Sequence, residues 1–150
     1  ADHTSRKNIN NPLILQLTNN KEVTSIINSL KVKSSSGVDE YSSKIVKHCV
    51  NELTPPLVSI INKSFTLGEF PSALKLSKVY PKHKKGQTTD VKNYRPISLI
   101  STFSKIIEKV VLNRLMAHLN HQKLINNSQH GFLKERSTSS AIISLVEFIT

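Results

Sequence analysis

Apolar residues recur at helical spacing along most of this chain, but between residues 74 and 99 that period is lost, and the interruption divides what the sequence can fold into. Before it, Val23, Ile26, Ile27 and Leu30 mark a short helix, with Asn19 as its cap and Glu22 at the capping-box position. Ser34-Ser35-Ser36-Gly37 ends that helix, Gly37 supplying a positive φ that other residues resist. A second helix starts near Ser42 and carries Ile45, Val46, Cys49, Val50 and Leu53 on its buried stripe. Thr54-Pro55 reads as the start of a third, because proline is tolerated where a first-turn N–H is unpaired anyway. Leu57, Ile60, Ile61 and Phe65 give that helix its face, and Gly68 its stop. Beyond the interruption, Ser101 or Thr102 caps a long helix with Phe103, Ile106, Ile107, Val110, Val111, Leu115 and Leu119 at intervals of three and four. Asn126-Asn127 makes a turn, Gln129 to Arg136 a loop, and Ser137 begins a last helix carrying Ala141, Ile142, Leu145, Val146 and Ile149.

The interruption itself reads as two short strands. Leu76 and Val79 stand in a Lys/Ser-rich run, polar residues follow around Gly86, and Tyr94 to Ile100 resumes an apolar pattern. Pro96 lacks a donor, so the second strand is an edge or begins there. The expected class is therefore α+β, helix-rich, with a small antiparallel β-hairpin. Residues 1–18 are polar and broken by Asn11-Pro12, and read as a flexible lead-in to a domain over 19–150. No repeat of 20–50 residues supports a solenoid. With 37% hydrophobic residues the chain has material for a core. The single Cys49 excludes an intramolecular disulfide framework and fits a reducing compartment, hence an intracellular, nuclear or cytoplasmic, location. Polar residues interrupt every apolar run before the ~18–20 residues a membrane span needs, so no membrane partner is expected. The chain opens on Ala1 rather than Met and its last helix is still apolar at Thr150, so it reads as a piece of a longer protein.

The formal charge is +11, from 21 Lys and Arg against 10 Asp and Glu. Seven of those cations, Lys75, Lys78, Lys82, Lys84, Lys85, Lys92 and Arg95, lie in the hairpin stretch, opposed there only by Asp90. Such a hairpin suits phosphates: each lysine is a mobile point charge, and arginine is a planar fork capable of a bidentate contact. Arg95 precedes Pro96, which biases its backbone to extended geometry. The alternative is that the lysine-rich face is simply solvated, and spacing alone leaves both readings open. Other chemistry is weakly signalled. His118 and His121 are three apart on an expected helix, without a Cys or carboxylate motif to complete a metal site. His48 and Cys49 are adjacent, so they point in different directions, and Cys49 falls on the apolar stripe. Only Asp39-Glu40 are neighbouring carboxylates, and no metal-binding set is expected. Four glycines form no phosphate-binding fingerprint.

Three stretches taken together carry a resemblance. They are Ser34-Ser35-Ser36-Gly37-Val38-Asp39; Lys84-Lys85-Gly86 followed by Asn93-Tyr94-Arg95-Pro96-Ile97-Ser98-Leu99; and Gln129-His130-Gly131-Phe132 with Arg136-Ser137-Thr138. In order and interval, including a helix reading Phe103-Ser104-Lys105-Ile106-Ile107-Glu108, they resemble reverse transcriptases of non-LTR (LINE-type, jockey-like) retrotransposons over about residues 20–150. The resemblance implies the fingers subdomain of a right-hand polymerase. It assigns Lys82, Lys84, Lys85 and Arg95 to the triphosphate of an incoming deoxynucleotide, and Gln129, Gly131, Phe132 and Arg136 to the template. The alternative for Phe132 is a core aromatic packed under its loop, and for Gly131 a glycine present only for its backbone freedom. The implied partners are an RNA template, a DNA primer, deoxynucleoside triphosphates and a palm of the same chain. That palm would carry the catalytic aspartates and Mg²⁺ of the complete enzyme, so no catalytic or metal residue is expected here, and residues 1–150 alone should not polymerise. The family's loop usually reads Gly-Phe-Arg-x-Gly-Arg, whereas Leu133 and Glu135 stand here in place of Arg and Gly, removing a cation and adding an anion. A stand-alone basic nucleic-acid-binding module derived from such an element is the alternative.

Overall fold

A computed structural model of the protein describes residues 12–149. Its order is α1 (Asn20–Ser29), α2 (Ser43–His48), α3 (Val50–Leu67), β1 (Ser77–His83), β2 (Tyr94–Ile100), α4 (Thr102–His121) and α5 (Thr138–Ile149), helix-rich α+β with a two-stranded antiparallel sheet. The chain divides into two compact units, one formed by Ile14–Arg114 and the other containing Leu115–Thr150. Among the described residues no helix is long and apolar enough to cross a membrane. The lead-in segment over residues 1–11 lies outside the described residues.

The first unit is built on four helices whose apolar stripes meet. Val23, Ile26 and Ile27 of α1, Val46 of α2, Leu57 and Ile61 of α3, and Ile106, Ile107 and Val110 of α4 form one buried cluster. Burying each such side chain is worth roughly 1.5–3 kcal/mol, so the helical periodicity of the sequence is also the energetic basis of the unit. Local signals fix the helix ends. Asn19 caps α1, accepting from the Glu22 N–H at 3.0 Å, and Gly68 ends α3 in the left-handed conformation, φ 68°. The carbonyls left unpaired at the end of α1 are met from another helix: Lys47 Nζ donates to Asn28 O at 2.8 Å and Leu30 O at 2.9 Å.

Two local expectations are corrected. Thr54-Pro55 does not start a helix; α3 begins at Val50 and runs through Pro55 and Pro56. Cys49 alone separates it from α2, and the helix tolerates the lost N–H donors within its second turn because Leu57 and Ile61 anchor it in the core. Gly37 does not adopt a positive φ. It is required by proximity, since a Cβ there would lie 2.7 Å from the Ser101 backbone nitrogen. The loop after α1 thus runs against the junction of β2 and α4. Ser101 Oγ donates to Asp39 and accepts from the Phe103 N–H at 3.1 Å, and Thr102 Oγ1 donates to Tyr41 O at 2.8 Å. Ser104 Oγ on α4 donates to Leu74 O at 2.7 Å, bringing the segment before β1 onto the same helix. These contacts hold both roots of the hairpin on the helical core.

The segment before α1 is also tied down. Thr18 is buried, its N–H donating to Asn62 Oδ1 at 2.7 Å and its C=O accepting from Asn62 Nδ2 at 3.0 Å. Arg114 reaches back to Gln16 O at 3.2 Å and forms an ion pair with Glu22. That guanidinium is the largest cause holding the Glu22 carboxyl below its usual range, with the Thr18 hydroxyl adding to it against the opposing cost of burial.

Candidate nucleic-acid interface

The sequence places Pro81 and Pro96 in two strands that must nevertheless pair, and the register resolves the conflict. Ser77 to His83 pair with Ile100 to Tyr94, which sets Pro81 opposite Pro96 and Lys82 opposite Arg95. The Lys84 N–H donates to Asn93 O at 2.8 Å one step beyond the last pair. Since hydrogen-bonded and non-hydrogen-bonded pairs alternate in an antiparallel ladder, Pro81–Pro96 falls at a non-bonded pair, where the missing donors break nothing. The outer edges lose a donor each, which blunts their tendency to recruit another strand.

Directly opposed residues share a face, so Lys82 and Arg95 project together, flanked by Tyr80–Ile97 and then Lys78–Leu99. The whole of β1 is exposed, and Arg95 with it. Like charges directly opposite one another destabilise a ladder. Among the described residues, Lys82, Lys84, Lys85 and Arg95 have no ion-pair partner, so no carboxylate offsets that repulsion. The exposed face of the hairpin is therefore a cationic patch without a neutralising carboxylate. On the other face, His83 packs against Tyr94 with ring centroids 5.2 Å apart, stiffening the ladder where it meets the tip.

The second sequence-predicted group lies in the other unit, on the loop between α4 and α5. Phe132 is fully exposed and left-handed, φ 61°, which corrects the reading of it as a core aromatic. Gly131, in contrast, has no positive φ and room for a Cβ, whose nearest neighbour would be Gln129 Nε2 at 3.7 Å. Its freedom is unused, and Gln129 instead donates to Gly131 O at 3.0 Å. Arg136 is turned inward along the loop, donating to Asn127 O and, at 3.1 Å, to Gln129 O. Glu135 is left-handed, and its carboxylate lies 3.7 Å from Lys134 Nζ in an exposed surface pair. Ser137 Oγ accepts from the Ser140 N–H at 3.2 Å and starts α5, and Ser140 Oγ lies 2.9 Å from His130 Nδ1. Beside the loop is a groove of about 1010 Å³ bordered by Met116, Leu119, Leu133 and Arg136.

Among the described residues, no group of three His, Cys, Asp or Glu side chains could hold a metal ion. Among these residues His118 and His121 are accompanied by no third His, Cys, Asp or Glu at metal-binding distance. The sequence pattern includes Gly86 and Asn93 but does not show how they shape the hairpin tip, and His83 carries no signal of its own there.

No family model matches the chain. It is similar to the RNA-directed DNA polymerase from mobile element jockey of Drosophila melanogaster, 33% identical over 129 residues, or 85% of this chain and 14% of that protein. A probable RNA-directed DNA polymerase from transposon BS of the same organism is 29% identical over 130 residues, 86% of this chain and 14% of the relative. The transposon TX1 149 kDa protein of Xenopus laevis is 28% identical over 98 residues, 65% of this chain and 8% of that protein. The chain thus spans about one seventh of the length of the first two.

Proposed function

The chain is homologous to a segment of the RNA-directed DNA polymerases of jockey-like non-LTR retrotransposons, and on that premise we propose that it is the fingers region of such an enzyme. In this reading β1 and β2 fold over the incoming deoxynucleotide. Arg95 forks onto one phosphate of the triphosphate, Lys82 neutralises the next from the same face, and Lys84 and Lys85 close on it from the tip. The single observation that carries the reading is the unneutralised Lys82–Arg95 pair, a repulsive arrangement that a polyanion converts into an attractive one. The Gln129–Thr138 loop supports the template, with Phe132 stacking on a base. Arg136 acts by holding the loop's carbonyls. Partners are an RNA template, a DNA primer, deoxynucleoside triphosphates and a palm. The carboxylates and Mg²⁺ that perform nucleotidyl transfer belong to that palm, so residues 1–150 alone bind without polymerising.

The test is a titration of a deoxynucleoside triphosphate followed at the Lys84 and Arg95 amides. Local, saturable shifts that vanish in Arg95→Ala support the reading. Salt-sensitive RNA binding with no triphosphate response would instead favour a basic nucleic-acid-binding module.

A further inference from the structure

The tip of the hairpin closes on itself. Beyond the His83–Tyr94 pair, the Lys84 N–H donates to Asn93 O at 2.8 Å, and the Asn93 side chain returns across the loop to donate from Nδ2 to Gln87 O at 2.9 Å. Tyr94 Oη donates to Thr88 O at 2.9 Å, and His83 Nε2 lies 3.2 Å from Gly86 O. Asp90 Oδ1 accepts from the Lys92 N–H at 2.9 Å, while the Asn93 N–H donates to Asp90 O at 3.0 Å. Gly86 sits under the Asn93 amide at φ 92°, and a Cβ there would lie 2.6 Å from Nδ2. Ten residues that would otherwise be a free lysine-bearing loop are therefore cross-tied, with Asn93 contributing both its backbone carbonyl and its side chain.

We propose that Asn93 is a positioning residue for the hairpin cations: it touches no phosphate itself, and it holds Lys84 and Lys85 beside Arg95 by locking the tip against Gly86 and Gln87. The proposal rests on the triphosphate reading above. Its physical basis is preorganisation, since a loop already closed loses less freedom when its lysines engage an anion. Gly86 belongs to the same device, because any side chain there would displace the Asn93 amide and strain the backbone.

Binding of a deoxynucleoside triphosphate is measured by calorimetry on the 150-residue chain, alongside amide exchange at Lys84. Asn93→Ala is expected to weaken binding about tenfold, as two lysines lose their preorganisation. It also speeds Lys84 exchange and leaves the melting temperature unchanged. Gly86→Ala behaves alike. In a Lys84→Ala, Lys85→Ala background Asn93→Ala adds no further loss, because it acts through those two side chains. Unchanged affinity in the single variant, an equal loss in the double background, or unaltered Lys84 exchange each overturns the positioning role. The two levels separate cleanly. Loss of binding in Arg95→Ala with Asn93→Ala unaffected removes only Asn93, whereas a wild-type chain that ignores the triphosphate removes both.

Discussion

Asp39 accepts a hydrogen bond from the Ser101 hydroxyl across 62 residues of sequence, and it does so because Gly37 lets the two backbones touch. The contact fixes the end of β2 and the first turn of α4 to the loop after α1. The hairpin therefore grows from a fixed root, although β1 is exposed along its whole length and β2 is half-buried only at Tyr94, Leu99 and Ile100.

Gly37→Ala tests that root. A Cβ at that position meets backbone atoms at 2.7 to 2.9 Å, which cannot move aside as a flexible side chain would. A loss of about 1–3 kcal/mol is expected, in the range of overpacking substitutions, measured by denaturant unfolding. Unaltered stability would show that the loop and the β2–α4 junction separate at no cost.

Arg114→Ala removes the ion pair with Glu22 and the bonds to the lead-in carbonyls. The pair is only partly exposed, and a cost of about 1–2 kcal/mol is expected. Its pH dependence has a definite sign. Glu22 is depressed in the folded state, so its contribution is full above the unfolded carboxylate value and is lost as pH falls through the lower folded value. The gap between thermal melts of wild type and Arg114→Ala should therefore narrow on acidification below about pH 4.3, the ordinary glutamate range, leaving the part due to the carbonyl bonds. A constant gap down to the acid limit would refute the assignment.

Arg95→Lys separates charge from geometry. It keeps the cation and loses the planar fork, so triphosphate affinity should fall by severalfold, while Arg95→Ala falls further. Equal affinities for Arg95 and Lys variants would mean that only net charge is read.

Binding to single-stranded RNA should be steeply salt-dependent. If Lys82, Lys84, Lys85 and Arg95 each neutralise a phosphate, affinity falls roughly 50-fold between about 50 and 200 mM salt, at a slope of about −0.7 per contact. Lys84→Ala with Lys85→Ala should flatten the slope by about 1.4 on the same basis. A slope indifferent to these lysines would place the contact elsewhere.

Phe132→Ala should leave unfolding unchanged, since the ring is fully exposed. It should weaken single-strand binding by about 1–3 kcal/mol if a base stacks there. A destabilised fold with intact binding would reverse both halves of that statement.

The elements were legible where a local signal and a stripe agreed. Asn19, Gly68 and Ser137 mark ends that the structure uses, because capping is a contact between near neighbours in sequence. The hairpin was legible from its loss of helical period, and its charge from simple clustering. Pro55 misled because a start signal and an interior proline look alike locally, and only the burial of Leu57 and Ile61 distinguishes them. Gly37 misled for the same reason: glycine signals either φ freedom or close approach, and the second depends on a backbone 64 residues away.

By itself the sequence determined the helical stripes, the cationic hairpin and the kinship with reverse transcriptases, all of which are properties of spacing and order. Tertiary structure decided what those residues do to each other. Register, which depends on pairing between strands 10 residues apart, put Lys82 opposite Arg95 and Pro81 at a pair that needs no donor. Loop closure turned Arg136 onto its own carbonyls and Phe132 into water. Such outcomes are set by distance and burial, which a linear order of residues does not contain.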